Sequence, residues 1–125
     1  MKCRYMRIQG REKSRVTKYP KGIFSVCWRM ISDGVMSPED EKAFRAIDDW
    51  FKENLPEPEP CKNHEQVITF FKTETTNEMQ RIIEPAVRIL DKYGLPYDIV
   101  YTNCVGTIVY EDEWQIAVQV TDGKI

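Results

Sequence analysis

Three prolines at alternate positions constrain this chain more than any other short stretch, because Pro56-Glu57-Pro58-Glu59-Pro60 lacks the regular N–H groups that a helix or a sheet ladder needs. The segment is expected to be a stiff, polyproline-like connector. It leaves about sixty residues on either side, and a unit of that size buries only about 60% of the surface that its unfolded chain exposes. Each half would be marginal alone. The sequence therefore points to a single domain over residues 1–125, with a basic strand and two helices in 1–55, the connector in 56–65, and a strand, a helix and a meander in 66–125.

Hydrophobic residues make up 42% of the chain, enough for the buried surface to offset chain entropy, so a folded globular protein is expected. The longest apolar runs, such as Gly22 to Trp28, fall far short of the roughly 20 residues that span a bilayer. No signal-peptide apolar region follows the basic start, so a cytoplasmic protein without membrane contact is expected. Cys3, Cys27, Cys61 and Cys104 have no short repeated spacing and read as free thiols. Charge is unevenly spread. Residues 1–21 carry eight Lys or Arg against the single acid Glu12, while the rest carries ten against nineteen acids, which places a basic segment on an acidic body.

Residues 2–9 (KCRYMRIQ) alternate, with Cys3, Tyr5 and Arg7 on one face and Lys2, Arg4, Met6 and Ile8 on the other, and Gly10 closes the run. This composition suits an edge strand, with Ser14 to Tyr19 as hairpin partner across Gly10-Arg11-Glu12-Lys13. From Pro20 the period becomes helical: Ile23, Val26, Cys27, Met30 and Ile31 share a face, and Gly34 follows the end. Phe24 and Trp28 add a second apolar row, so this helix should be central or half of an interface. Ser37-Pro38-Glu39-Asp40 then starts a second helix, because the Ser hydroxyl can accept from free N–H groups while the acids meet the positive helix end. Ala43, Phe44, Ile47, Trp50, Phe51 and Leu55 form its stripe.

Gln66 to Lys72 is apolar on both faces, as in an interior strand. Thr75 and Glu78 form a capping-box pattern, and Met79, Ile82, Ile83, Ala86, Val87 and Leu90 follow at helical spacing up to the Gly94 cap. Pro85 falls inside the stripe without breaking its register, which predicts one kinked helix and not two. Tyr97 to Thr102, Thr107 to Tyr110 and Trp114 to Val120 read as three short strands in a meander, with Asn103 to Gly106 as a hairpin loop. The strands flanking the crossover helix should be parallel neighbours. The expected fold is α+β: a mixed sheet with a β-α-β unit followed by a β-meander, plus the N-terminal basic strand or hairpin and the two-helix segment.

Catalytic equipment is sparse. His64 is the one histidine, and Cys61 with His64 supplies two soft ligands where a structural zinc site takes four. No Gly-x-Ser-x-Gly elbow or Gly-rich phosphate loop occurs. Asp48-Asp49 and Glu111-Asp112-Glu113 read as solvated acids. No enzyme activity, metal or cofactor is therefore expected. Three binding readings remain. The strand ends at Lys72, Thr73, Thr76 and Asn103 form a polar edge of the kind that takes a small polar ligand or nucleotide. Arg4, Arg7, Arg11 and Arg15 could track a nucleic-acid backbone. Protein recognition draws on Trp28, Trp50, Trp114 and surfaces of both charge signs.

Lys21 to Leu55 together with Val67 to Val118 resembles, in overall style, short proteins carried by bacterial phages and mobile elements. The resemblance implies an accessory role, such as inhibiting a host protein or sequestering a host signal, and brings no site residues with it. The leading expectation is a non-enzymatic binding protein with a protein partner, as a homodimer or in a larger complex.

Overall fold

Alternation lets one strand serve two cores, and Tyr5–Lys13 (β1) does so: Met6 and Ile8 enter the larger core while Tyr5 enters a smaller one on the opposite face. In the computed structural model, which describes residues 3–62 and 66–125, β1 is the central strand of an α+β fold. Pro20–Gly22 (β2) leads into the helix Ile23–Ser32 (α1); Pro38–Asn54 (α2) and the single turn Glu59–Lys62 (α3) follow. The second half comprises Val67–Lys72 (β3), a 3-10 turn at Thr73–Thr75, Thr76–Lys92 (α4), Tyr97–Thr102 (β4), Ile108–Glu111 (β5) and Gln115–Gln119 (β6).

All strand pairings are antiparallel among the described residues. Tyr5 to Gly10 of β1 pair with β4 along one edge. On the other edge Tyr5 and Met6 pair with Lys72 and Phe71 of β3, after which β1 parts from β3 and pairs with β2. The sheet continues through β6 to β5.

Four expectations are corrected by this topology. β1 is no edge strand; it fills the gap between β4 and β3, because it has a core to meet on each face. β3 and β4 do run in the same direction, but β1 lies between them, so they are not neighbours. No meander forms from the last three strands, since β4 pairs only with β1 while β5 and β6 pair at the far side. The Asn103 to Gly106 segment is accordingly no hairpin loop: it connects the two sides of the sheet and buries Val105 in the smaller core with Ile68, Phe70, Ile116 and Val118.

Gly10 does not end the strand. A side chain there would press its Cβ to 2.8 Å from Val26 of α1, so glycine allows the helix to lie against the strand. The hairpin partner of β1 is Pro20–Gly22, and Ser14 to Tyr19 is the turn, closed by Ser14 N donating to Tyr19 O over 2.9 Å. The proline connector is also shorter than expected. Pro60 sits in the first turn of α3, where its missing N–H would have no helical partner anyway.

The three long helices cover the other face of the sheet. Phe44, Ile47 and Phe51 of α2 and Met79, Ile83, Ala86 and Leu90 of α4 bury against Ile23, Cys27 and Met30 of α1. Ala43, placed on the buried stripe, is exposed instead. The second apolar row of α1 is covered by α2: Phe24 meets Phe51 edge-on with ring centroids 5.0 Å apart, and Trp28 meets Phe44 at 5.2 Å. Ser37 caps α2 by accepting from Asp40 N, and α4 runs unbroken through Pro85 to the left-handed Gly94. The Thr75 cap falls outside the described side chains.

Candidate functional site

The strand ends singled out by the sequence do converge, but on the start of β1. With β1 lying between β3 and β4, their C-terminal ends flank its first residues. Thr73 donates its hydroxyl to Cys3 O at 2.6 Å and its N–H to Arg4 O, while Asn103 Oδ1 accepts from Arg4 N at 2.7 Å. Lys72 Nζ lies 2.7 Å from Glu111, which holds that carboxyl below its usual range. Thr76 opens α4, and its side chain lies outside the described residues. Thr73 and Asn103 thus fix the entry of β1, while the Lys72 side chain ties the end of β3 to β5.

The basic residues do not share one surface. Arg4 and Arg15 are exposed, and Arg11 faces Asp98 of β4 at 3.5 Å. Arg7 is only 7% exposed. It lies where β1 parts from β3, and its side chain bridges the gap: Nε donates to Thr69 O at 3.1 Å and Nη1 donates to Pro20 O and to Gln9 Oε1. Tyr19 lies 5.6 Å from the guanidinium carbon. Every one of these acceptors is neutral. Burial without a counter-ion brings the Arg7 pKa down to about 10, partly offset by Tyr19.

Other polar groups are structural. Asp112 accepts the Tyr110 hydroxyl at 2.7 Å and the N–H groups of Trp114 and Gln115, which shapes the β5–β6 turn and pushes Tyr110 up to about 12. Burial pushes the Cys27 thiol to about 12 as well, so it is inert near neutral pH. Among the described residues no three His, Cys, Asp or Glu side chains converge as metal ligands, and all four cysteines are free thiols. His64 lies outside the described residues. No described helix is long and apolar enough to cross a membrane. Trp28, Trp50 and Trp114 are half-buried against the larger core.

The open surface lies at β4. Its inner edge is bonded to β1 along its whole length, and its outer edge pairs with no strand among the described residues. Ile99 and Tyr101 share a sheet face with the helices but reach past them, and stand 46% and 54% exposed. Asp98 is the single charge on the strand and is already matched by Arg11. At the β4 entrance, Leu95 and Pro96 join Val26, Met30 and Val35 in a largely apolar cleft of about 320 Å³.

The opposite edge of the sheet is protected. β5 is four residues long, its register shifts between Ile108 and Tyr110, Glu111 carries a charge, and α3 lies beside it. These are devices that blunt strand edges; β4 is longer, its register with β1 is unbroken, and its single charge, Asp98, is taken up by Arg11. Sequence reading placed Tyr97 to Thr102 correctly as a strand, but an apolar alternating run looks alike whether its outer edge is covered or bare. The chain matches no family model, and neither a curated protein nor a solved structure is similar to it.

Proposed function

We propose that this protein is a binding module that acts through protein–protein contacts without catalysis, that β4 is its contact strand, and that a second copy of the chain occupies that strand. One observation carries the reading: an unprotected six-residue strand edge beside exposed Ile99 and Tyr101. Antiparallel pairing of β4 with its copy about a two-fold axis at Val100, which sets Ile99 opposite Tyr101 of the copy, would satisfy the free N–H and C=O groups of both edges. In that register Asp98 faces Thr102 of the copy and not the other Asp98, so like charges stay apart. The tyrosine and isoleucine side chains would then close over one another on the helix side of a continuous sheet.

The basic residues favour this reading over nucleic-acid binding, because Arg7 is inside and Arg11 is paired. The polar strand ends likewise serve the entry of β1. Light scattering across about 1 to 500 μM, the range of a modest interface, is the test. A dimer should form in the wild type and be lost in Ile99→Lys/Tyr101→Lys, which sets like charges opposite one another, with an unchanged far-UV spectrum. A wild-type chain monomeric across the whole range would overturn the proposal.

A further inference from the structure

A second cleft, of about 270 Å³, opens where β1 leaves β3, and its lining combines three features that suit an anion. The first is Arg7. Its Nε and Nη1 are engaged, but Nη2 has no hydrogen-bond acceptor and the guanidinium has no carboxylate within 4.0 Å among the described residues. A cation more than nine-tenths buried without a counter-ion is unfavourable, and an arriving anion relieves it. The second is the N-terminus of α1. This ten-residue helix starts at Gly22 with no side-chain cap and no acid in its first turn, so its first N–H groups and the positive end of its dipole lack a local partner.

The third is the way these two are joined. A Cβ on Gly22 would lie 3.4 Å from Arg7 Nη2, so the guanidinium and the bare helix start sit side by side, with Ser25 and Thr17 on the same wall. Lys21 adds a second cation, tied at the rim to Glu12 at 3.1 Å. Among the described residues no Asp or Glu lines the cleft, although acids outnumber bases in the chain by 20 to 18.

We infer that this cleft is a phosphate-binding site, in which Arg7 Nη2 and the N–H groups at the start of α1 hold the oxygens of inorganic phosphate or a small phosphate monoester. Helix N-termini bind phosphate through free N–H groups and dipole together, and a guanidinium supplies the charge-assisted donors. A cleft of this volume accommodates a small ester as readily as the free ion.

Arg7→Met tests the site only if the strand junction survives, so the decisive variant is Gly22→Asp. Gly22 has φ −68° and ψ 163°, an extended conformation that any residue adopts. An aspartate there would cap α1 and pair with Arg7, supplying the missing anion from within. Thermal melts are recorded for the full chain in inorganic phosphate, in glycerol phosphate, and in chloride at equal ionic strength. The wild type should gain at least about 5 °C in near-saturating phosphate over chloride. Gly22→Asp should melt higher than the wild type in chloride and gain nothing further from phosphate. A larger gain with glycerol phosphate than with the free ion would assign the site to a monoester, and the reverse order to phosphate itself. No gain with either probe, or an equal gain in Gly22→Asp, would overturn the inference. Amide shifts of Ile23, Phe24 and Ser25 on phosphate titration provide the local readout.

Discussion

Asp40 accepts hydrogen bonds from the Ser37 hydroxyl, Lys92 Nζ at 2.9 Å and the Tyr93 hydroxyl at 2.7 Å, and so ties the start of α2 to the end of α4. The bond from Lys92, then that from Tyr93, holds the Asp40 carboxyl below its usual range, against the opposing effect of desolvation. A carboxyl whose pKa is lower in the folded state stabilises the fold above its unfolded value, and that contribution is lost as pH falls through the folded value. Asp40→Asn should therefore melt below the wild type at about pH 7, and the gap should close on acidification below about pH 4, near the ordinary aspartate pKa. Circular-dichroism melts across that span are the check; a gap independent of pH would mean that the ionised carboxylate is not its source. The cap itself was legible in Ser37-Pro38-Glu39-Asp40. The reach to Lys92 and Tyr93 was not, because no local pattern links residues about fifty positions apart. Arg7 makes the same point: its charge is plain in the sequence, whereas its burial depends on where β1 and β3 separate.

At the scale of elements, β1 was read as a strand and placed wrongly. Its alternation assigns each side chain to a face, but alternation says nothing about which strand lies alongside. Three lysines and arginines on a short strand suggested a solvent edge; in the structure Arg7 is drawn inside by carbonyl oxygens that take its Nε and Nη1, and Arg11 is paired with Asp98. The central position has a measurable consequence. Deleting residues 1–13 should abolish the cooperative thermal transition, because β4 would lose the strand it pairs with and β3 would lose its tie to β4. Retention of a sharp melt in the shortened chain would restore the view of β1 as a dispensable arm. The α4 stripe needed no such correction, since helix periodicity identifies a buried face wherever the helix docks.

Across the whole molecule, the connector divides the sequence without dividing the structure. The larger core joins Cys27 and Phe44 from before it to Met79 and Leu90 from after it, and Gln115 of β6 donates to Pro56 O at 2.8 Å. Calorimetry should therefore show one two-state transition with equal calorimetric and van't Hoff enthalpies. Two resolved transitions, or an isolated 66–125 fragment with native-like dispersion in its spectrum, would contradict a shared core.

What the sequence determined by itself was local: the positions of most strands and of the three long helices, the caps at Ser37 and Gly94, the stripes that face inward, and the need for both halves to share one core. Each of these follows from periodicity, propensity or size, which are properties of neighbours along the chain. The tertiary structure alone decided that β1 enters between β3 and β4, that the outer edge of β4 pairs with no strand among the described residues, and that Arg7 meets a helix start without a side-chain cap. Pairing order depends on which strands compete for the same backbone partners, and that competition is settled only when residues distant in sequence bury one another.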